Sequence, residues 1–260
     1  MRKPIIAGNW KMFKIGAEAK EFAGELLRHL KDEPLQDKVD ILLCPPFITI
    51  PALTEAVKGT AVMIGGQNLY PKKEGAFTGE VSPAMLKAEG ASYVIIGHSE
   101  RRQILGEKDA FLNEKIKAAL EFGLKPILCV GETLEQRKKG ETAELCRSQL
   151  AADLEGFGPE ICDVLVIAYE PVWAIGTGEN ASADDAQETI SVIRQWLRSV
   201  YGGAAAERVR IQYGGSVKPD NAKGYLAMPD IDGALIGGAS LAVSSFWPML
   251  QAAAEAALAK

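Results

Sequence analysis

Short apolar or β-branched runs recur along the chain at Pro4–Trp10, Val39–Cys44, Val62–Gln67, Tyr93–Gly97, Lys125–Val130, Val164–Glu170, Val209–Tyr213 and Gly233–Ile236. Each has the length of a strand, and most are apolar throughout instead of alternating. That is the pattern of parallel strands buried on both faces. The segments between them carry apolar stripes at helical spacing: Ala19, Phe22, Ala23, Leu26 and Leu30; Leu112, Ile116, Ala119 and Leu120; Ile190, Ile193, Leu197, Val200 and Tyr201. Ser82-Pro83 predicts an N-cap followed by proline in the first turn, and Ser182 ahead of Asp184 and Asp185 predicts another start. Gly90, Gly123 and Gly202 fall where helices should stop.

Regular strand–helix alternation implies a parallel sheet with helices packed outside it. An eight-unit α/β barrel needs about 250 residues, and this chain has 260. An open, doubly wound sheet satisfies the alternation equally well. No composition break or low-complexity stretch divides the sequence, so residues 1–260 are expected to form a single domain.

Composition narrows the function classes. Apolar residues make up 47% and charged residues 24%, ordinary values for a globular domain. A formal charge of −5 argues against a nucleic-acid partner and leaves any anion site to be built locally. The start, MRKPIIAGNW, lacks the apolar run of a signal peptide, and no stretch is long enough for a membrane helix. Cys44, Cys129, Cys146 and Cys162 show no CxxC spacing, and two histidines do not suggest a metal cluster, so neither metal nor cofactor is expected. Reduced thiols in a cytoplasmic protein are the simplest reading.

The chemistry expected of a barrel lies at the C-terminal ends of its strands. There the sequence places Asn9 and Lys11 after the first run, and His98, Ser99 and Glu100 after the fourth. Glu170, with Pro171 to Gly178, follows the sixth, Tyr213-Gly214-Gly215-Ser216 closes the seventh, and Gly237-Gly238 follows the eighth. Glycine turns that run into helices present backbone amides to an anion, and two such turns suit a phosphate ester. A carboxylate base, a lysine and a histidine together suit proton abstraction beside a carbonyl. Lys11 could instead form a Schiff base, as in an aldolase. Glu100, preceding Arg101 and Arg102, is as consistent with a structural ion pair as with catalysis. A barrel that keeps its phosphate grip without activity is a third reading.

Gly8-Asn9-Trp10-Lys11, Gln67-Asn68, Gly75 to Glu80, Ile96 to Arg102, Ala168 to Gly178, Tyr213 to Val217 and Asp232 to Ser240 resemble the triosephosphate isomerase family over essentially the whole chain. The segment around Glu170 is the most specific. The resemblance implies a (β/α)8 TIM barrel and a cofactor-free isomerase of glycolysis and gluconeogenesis that acts on a phosphorylated triose. It implies that Glu170 is the base, His98 a neutral electrophile beside a helix N-terminus, Lys11 the supporting cation, Asn9 a contact to substrate oxygen and Glu100 the carboxylate that holds Lys11. Phosphate contacts fall on Gly176, Ser216, Gly237 and Gly238. Pro171–Gly178 resembles a closing lid that keeps the enediolate from losing phosphate, and Ile175 and Leu235 an apolar clamp that raises the base's proton affinity. Gln67–Glu80, with Tyr70 and Phe77 exposed and Thr78 reaching toward a neighbour's site, resembles the loop of a homodimer. Cys129 is expected to be a buried thiol with no chemical role.

Overall fold

A computed structural model describes residues 2–175 and 181–259. The apolar runs form strands β1 (Ile5–Asn9), β2 (Asp40–Cys44), β3 (Met63–Gly66), β4 (Tyr93–Ile96), β5 (Lys125–Val130), β6 (Val166–Tyr169), β7 (Arg210–Tyr213) and β8 (Gly233–Ile236). They pair in sequence order, all parallel, and β8 returns to β1, closing a barrel. Alternation along each strand explains the unbroken hydrophobic runs. Ile5, Ala7, Leu42, Cys44, Ile127 and Cys129 pack inside the barrel. Their neighbours Ile6, Ile41, Leu43 and Leu128 face the helical shell.

The shell comprises α1 (Gly16–Asp32), α2 (Ile50–Ala56), α3 (Pro83–Ala88), α4 (Ser99–Gln103), α5 (Asp109–Glu121), α6 (Leu134–Lys138), α7 (Thr142–Asp153), α8 (Ala183–Tyr201), α9 (Gly203–Ala206), α10 (Ala222–Leu226) and α11 (Val243–Ala259). The two starts expected from sequence follow the capping chemistry. Ser82 Oγ accepts the Met85 amide at 3.1 Å ahead of α3. Ser182 and Asp185 cap each other's amides ahead of α8, and Gly202 ends that helix at φ 85°. One stripe differs from expectation. On α8 the buried face runs through Ile190, Ile193, Arg194 and Leu197, while Val200 is exposed. An arginine occupies the inward position because its charge is fully partnered below the sheet, a fact that periodicity cannot express.

Candidate active site

The loop after β1 holds its lysine in a constrained backbone. Lys11 sits at φ 50°, uncommon for a residue with a side chain. Asn9 Oδ1 accepts the Lys11 amide at 3.0 Å, and Gln67 Nε2 donates to the carbonyls of Lys11 and Cys44 at 2.8 and 2.9 Å. The turn is thus over-determined, and Lys11 Nζ reaches Glu100 Oε1 at 2.6 Å. Gln67 was legible as the end of the third run, as part of the Gln67-Asn68 resemblance and as the start of a loop. Its role as a tether depends on partners far away in the sequence.

β4 delivers His98 to the N-cap of α4, where Nδ1 accepts the Glu100 amide at 3.2 Å. A nitrogen that accepts carries a lone pair, so this contact suits a neutral ring with its proton on Nε2. Nε2 lies 2.9 Å from Glu170 Oε1. Burial lowers the imidazole's proton affinity, but the charge of Glu170 and then that of Glu100 more than reverse it, leaving the His98 pKa above its ordinary value. The helix terminus favours the neutral ring, and the neighbouring carboxylate opposes it.

Glu170, immediately after β6, is buried, with Oε2 accepting the Ser99 amide at 2.8 Å. Oε1 makes no hydrogen bond of normal geometry. Burial works to raise the carboxyl's pKa, yet His98, the Ser99 amide and Lys11 outweigh it and hold it below the usual glutamate value. This reverses the raised proton affinity expected from an apolar clamp. Ile175 and Leu235 do line the adjacent cavity, but the donors on Glu170 dominate in this arrangement.

The glycine turns lie on the same rim. A Cβ at Gly214 would stand 2.9 Å from Glu170 Cγ, and one at Gly237 would stand 3.2 Å from Lys11 Cε. Asn9, Lys11, His98, Ser216, Gly237 and Gly238 all line one cavity of about 360 Å³. Glu170 is not in its wall. It faces a narrow recess shared with Ser99, Arg102, Cys129 and Val172, one side chain removed from the cavity through His98. Gly176, and with it the stretch from Gly176 to Gly178 of the expected lid, lies outside the described residues.

A family model described as triosephosphate isomerase matches residues 4–253. Curated relatives bearing that name include a protein of Carboxydothermus hydrogenoformans, 55% identical over 95% of this chain and 97% of the relative. One from Symbiobacterium thermophilum is 53% identical over 98% of this chain and 99% of its own length. One from Clostridium perfringens is 50% identical over 95% and 98%, respectively. The chain belongs to the triosephosphate isomerase family.

Other features of this family member sharpen the reading from sequence. Glu132, which that reading did not single out, is buried beneath the site and accepts the Tyr169 hydroxyl at 3.1 Å and the Trp173 indole at 3.0 Å. Cys129 is buried, and burial together with the charge of Glu170 pushes its thiol pKa well up. Residues 72–80 are exposed, Phe77 among them, whereas Tyr70 is half-buried against the Phe77 ring at 4.3 Å between centroids. Among the described residues, no group of three or more His, Cys, Asp or Glu is placed to hold a metal, and no helix is long and apolar enough to cross a membrane.

Proposed function

We propose that this chain, as a single domain, interconverts dihydroxyacetone phosphate and D-glyceraldehyde 3-phosphate without metal or cofactor. One observation carries the reading: Glu170, Lys11 and the glycine turns after β7 and β8 share one rim at side-chain distance. A triose phosphate laid across the cavity has its phosphoryl group against the amides of Ser216, Gly237 and Gly238, with Gly176 as a fourth donor by family resemblance. Its carbonyl then falls between Lys11 Nζ and His98 Nε2, with Asn9 alongside.

Glu170 takes a proton from the carbon beside the carbonyl and returns it to the neighbouring carbon. Lys11 and the Nε2–H of His98 stabilise the enediolate oxygens between the two transfers, and His98 relays the proton between those oxygens. Glu100 keeps Lys11 in place. To reach the carbon, Glu170 has to leave the Ser99 amide and the His98 face. Leaving sheds the close His98 contact and the Ser99 amide, two of the influences that depress its pKa, so the base strengthens as it engages. The Lys11–Glu100 ion pair at 2.6 Å favours an electrostatic role for Lys11 over Schiff-base chemistry.

The same reading extends to a homodimer through Gln67–Glu80, with Thr78 directed at the partner's site. Exposed Met12, Phe13, Ile15, Ile48, Phe77 and Met85 support it. Free, buried cysteines suit the cytoplasm, and the activity would serve glycolysis and gluconeogenesis. The test is a coupled assay on the purified protein with dihydroxyacetone phosphate. Turnover far above buffer is expected, and buffer-level conversion refutes the proposal. Sedimentation at micromolar concentration should give twice the chain mass, and a monomer would remove the dimer.

A further inference from the structure

Glu100 is followed by two arginines, and the second is inward-facing. Arg102 lies one turn into α4, and its amide donates to the His98 carbonyl at 3.1 Å. Its guanidinium Nε donates to the carbonyl of Gly97, the residue before His98, at 2.8 Å. Nη2 donates to the Cys129 carbonyl of β5 at 3.0 Å and to Asp153 Oδ2, at the end of α7, at 2.5 Å. Nη1 donates to Asp109 at the start of α5. One planar fork therefore spans the ends of β4 and β5 and two helices behind them.

Both reacting side chains hang from those strand ends. His98 leaves β4 directly after the carbonyl that Arg102 holds. Glu170 is bonded to β5 through its amide, which donates to the Val130 carbonyl at 2.8 Å, next to the Cys129 carbonyl that Arg102 also holds. Arg102 and Glu170 line the same recess. The anchor at its far side is costly. Asp153 is fully buried, its Oδ1 has no hydrogen-bond partner among the described residues, and burial pushes its carboxyl up to about 7 against the pull of Arg102. A buried ion pair with an unmet oxygen is a poor source of net stability, so its geometry is the better explanation for its presence.

We propose that Arg102 is a positioning residue for His98 and Glu170, setting the spacing of the β4 and β5 ends through its guanidinium fork, which Asp153 anchors. This rests on the isomerase reading and adds a residue that touches no substrate. A lysine at the same place keeps the charge but cannot bond four carbonyl and carboxylate acceptors in one plane.

The experiment compares the parent enzyme with Arg102→Lys, Asp153→Asn and Arg194→Lys. The last alters a second inward-facing, ion-paired arginine, at the opposite end of the barrel. For Arg102→Lys, kcat should fall about 10-fold with KM within about twofold, since small misplacements act on the chemical step. The His98 imidazole nitrogen signals should shift in NMR while those of His29, the other histidine, stay in place. Asp153→Asn should give a smaller loss of the same kind and decides the matter if Arg102→Lys does not fold. Arg194→Lys should lower Tm and leave kcat unchanged. An unchanged kcat in the folded variant, or a reduced kcat with unmoved His98 signals, overturns the proposal. Failure of the parent to isomerise would instead defeat the isomerase reading alone.

Discussion

The two ends of the barrel bury charge in opposite ways. At the N-terminal end, Arg194 donates to Asp230 at 2.9 Å, to Asp232 at 2.7 Å and to the carbonyls of Ala206 and Val209 at 2.8 and 2.9 Å. Asp232 also accepts from Arg2 at 2.7 Å and from the Ile211 amide at 3.0 Å. Arg210 closes the same end between Asp40 and the Tyr93 hydroxyl. At the C-terminal end, Glu170 keeps an oxygen without a hydrogen bond of normal geometry and Lys11 keeps a left-handed backbone. Both ends contain fully or nearly buried ions. One arrangement is complete and cannot exchange partners without loss. The other is incomplete and can trade its present partners for a substrate.

The largest effect expected from this contrast concerns Glu170. Glu170→Gln should lower kcat by about 1,000-fold, the scale of a positioned general base, while Tm falls only slightly, because the partners that hold the Glu170 pKa down favour its charged form in the fold. A Tm drop of many degrees with modest kinetic loss would move Glu170 into the structural class. Next comes Arg194→Met, which takes the guanidinium away from Asp230, Asp232 and the two carbonyls and should cost about 3 kcal/mol in urea unfolding, with kcat unchanged. A kinetic effect as large as the stability effect would erase the distinction between the ends. Gly214→Ala is intermediate, because its methyl would press on Glu170 Cγ and the Tyr169 carbonyl. A kcat loss of about 10-fold is expected from such displacement, with little change in KM.

The smallest effect is a titration. Glu170 foremost raises the His98 pKa against burial, so Glu170→Gln should lower the pKa of that imidazole in NMR. The sign follows from linkage. A raised histidine pKa adds stability fully below the unfolded value, and that stability is lost as pH rises through the folded value. The parent should therefore lose this increment on passing upward through the His98 pKa, and Glu170→Gln should not. An unmoved His98 titration would show that the two side chains are not coupled.

Much of the fold was legible because its signals are local. Ser82 and Ser182 act within their own first turns, and the apolar runs differ from helical stripes within a few residues. The site was legible wherever a functional side chain directly follows a strand: Asn9, His98 and Glu170 stand where strand ends and barrel geometry place chemistry. What remained hidden depends on partners far apart in sequence. Arg194 meets Asp230 and Asp232 across 36 and 38 residues, and Arg102 meets Asp153 across 51. No local pattern marks such arginines as inward-facing. The depressed pKa of Glu170 was likewise hidden, since the expected apolar clamp is visible in sequence whereas His98 and then the Ser99 amide, which together with Lys11 outweigh burial, reach Glu170 from 72 and 71 residues away.

The claim beneath all of this is that Glu170 moves a carbon-bound proton while amides across the same rim hold phosphate. It is tested most directly by following dihydroxyacetone phosphate in deuterated water by NMR, with the parent chain and with Glu170→Asp. The account predicts solvent deuterium on the carbon beside the carbonyl during turnover by the parent, and exchange and isomerisation slowed together by about 100-fold when the carboxylate is drawn back by one methylene. Equal rates of exchange in the two proteins would contradict it.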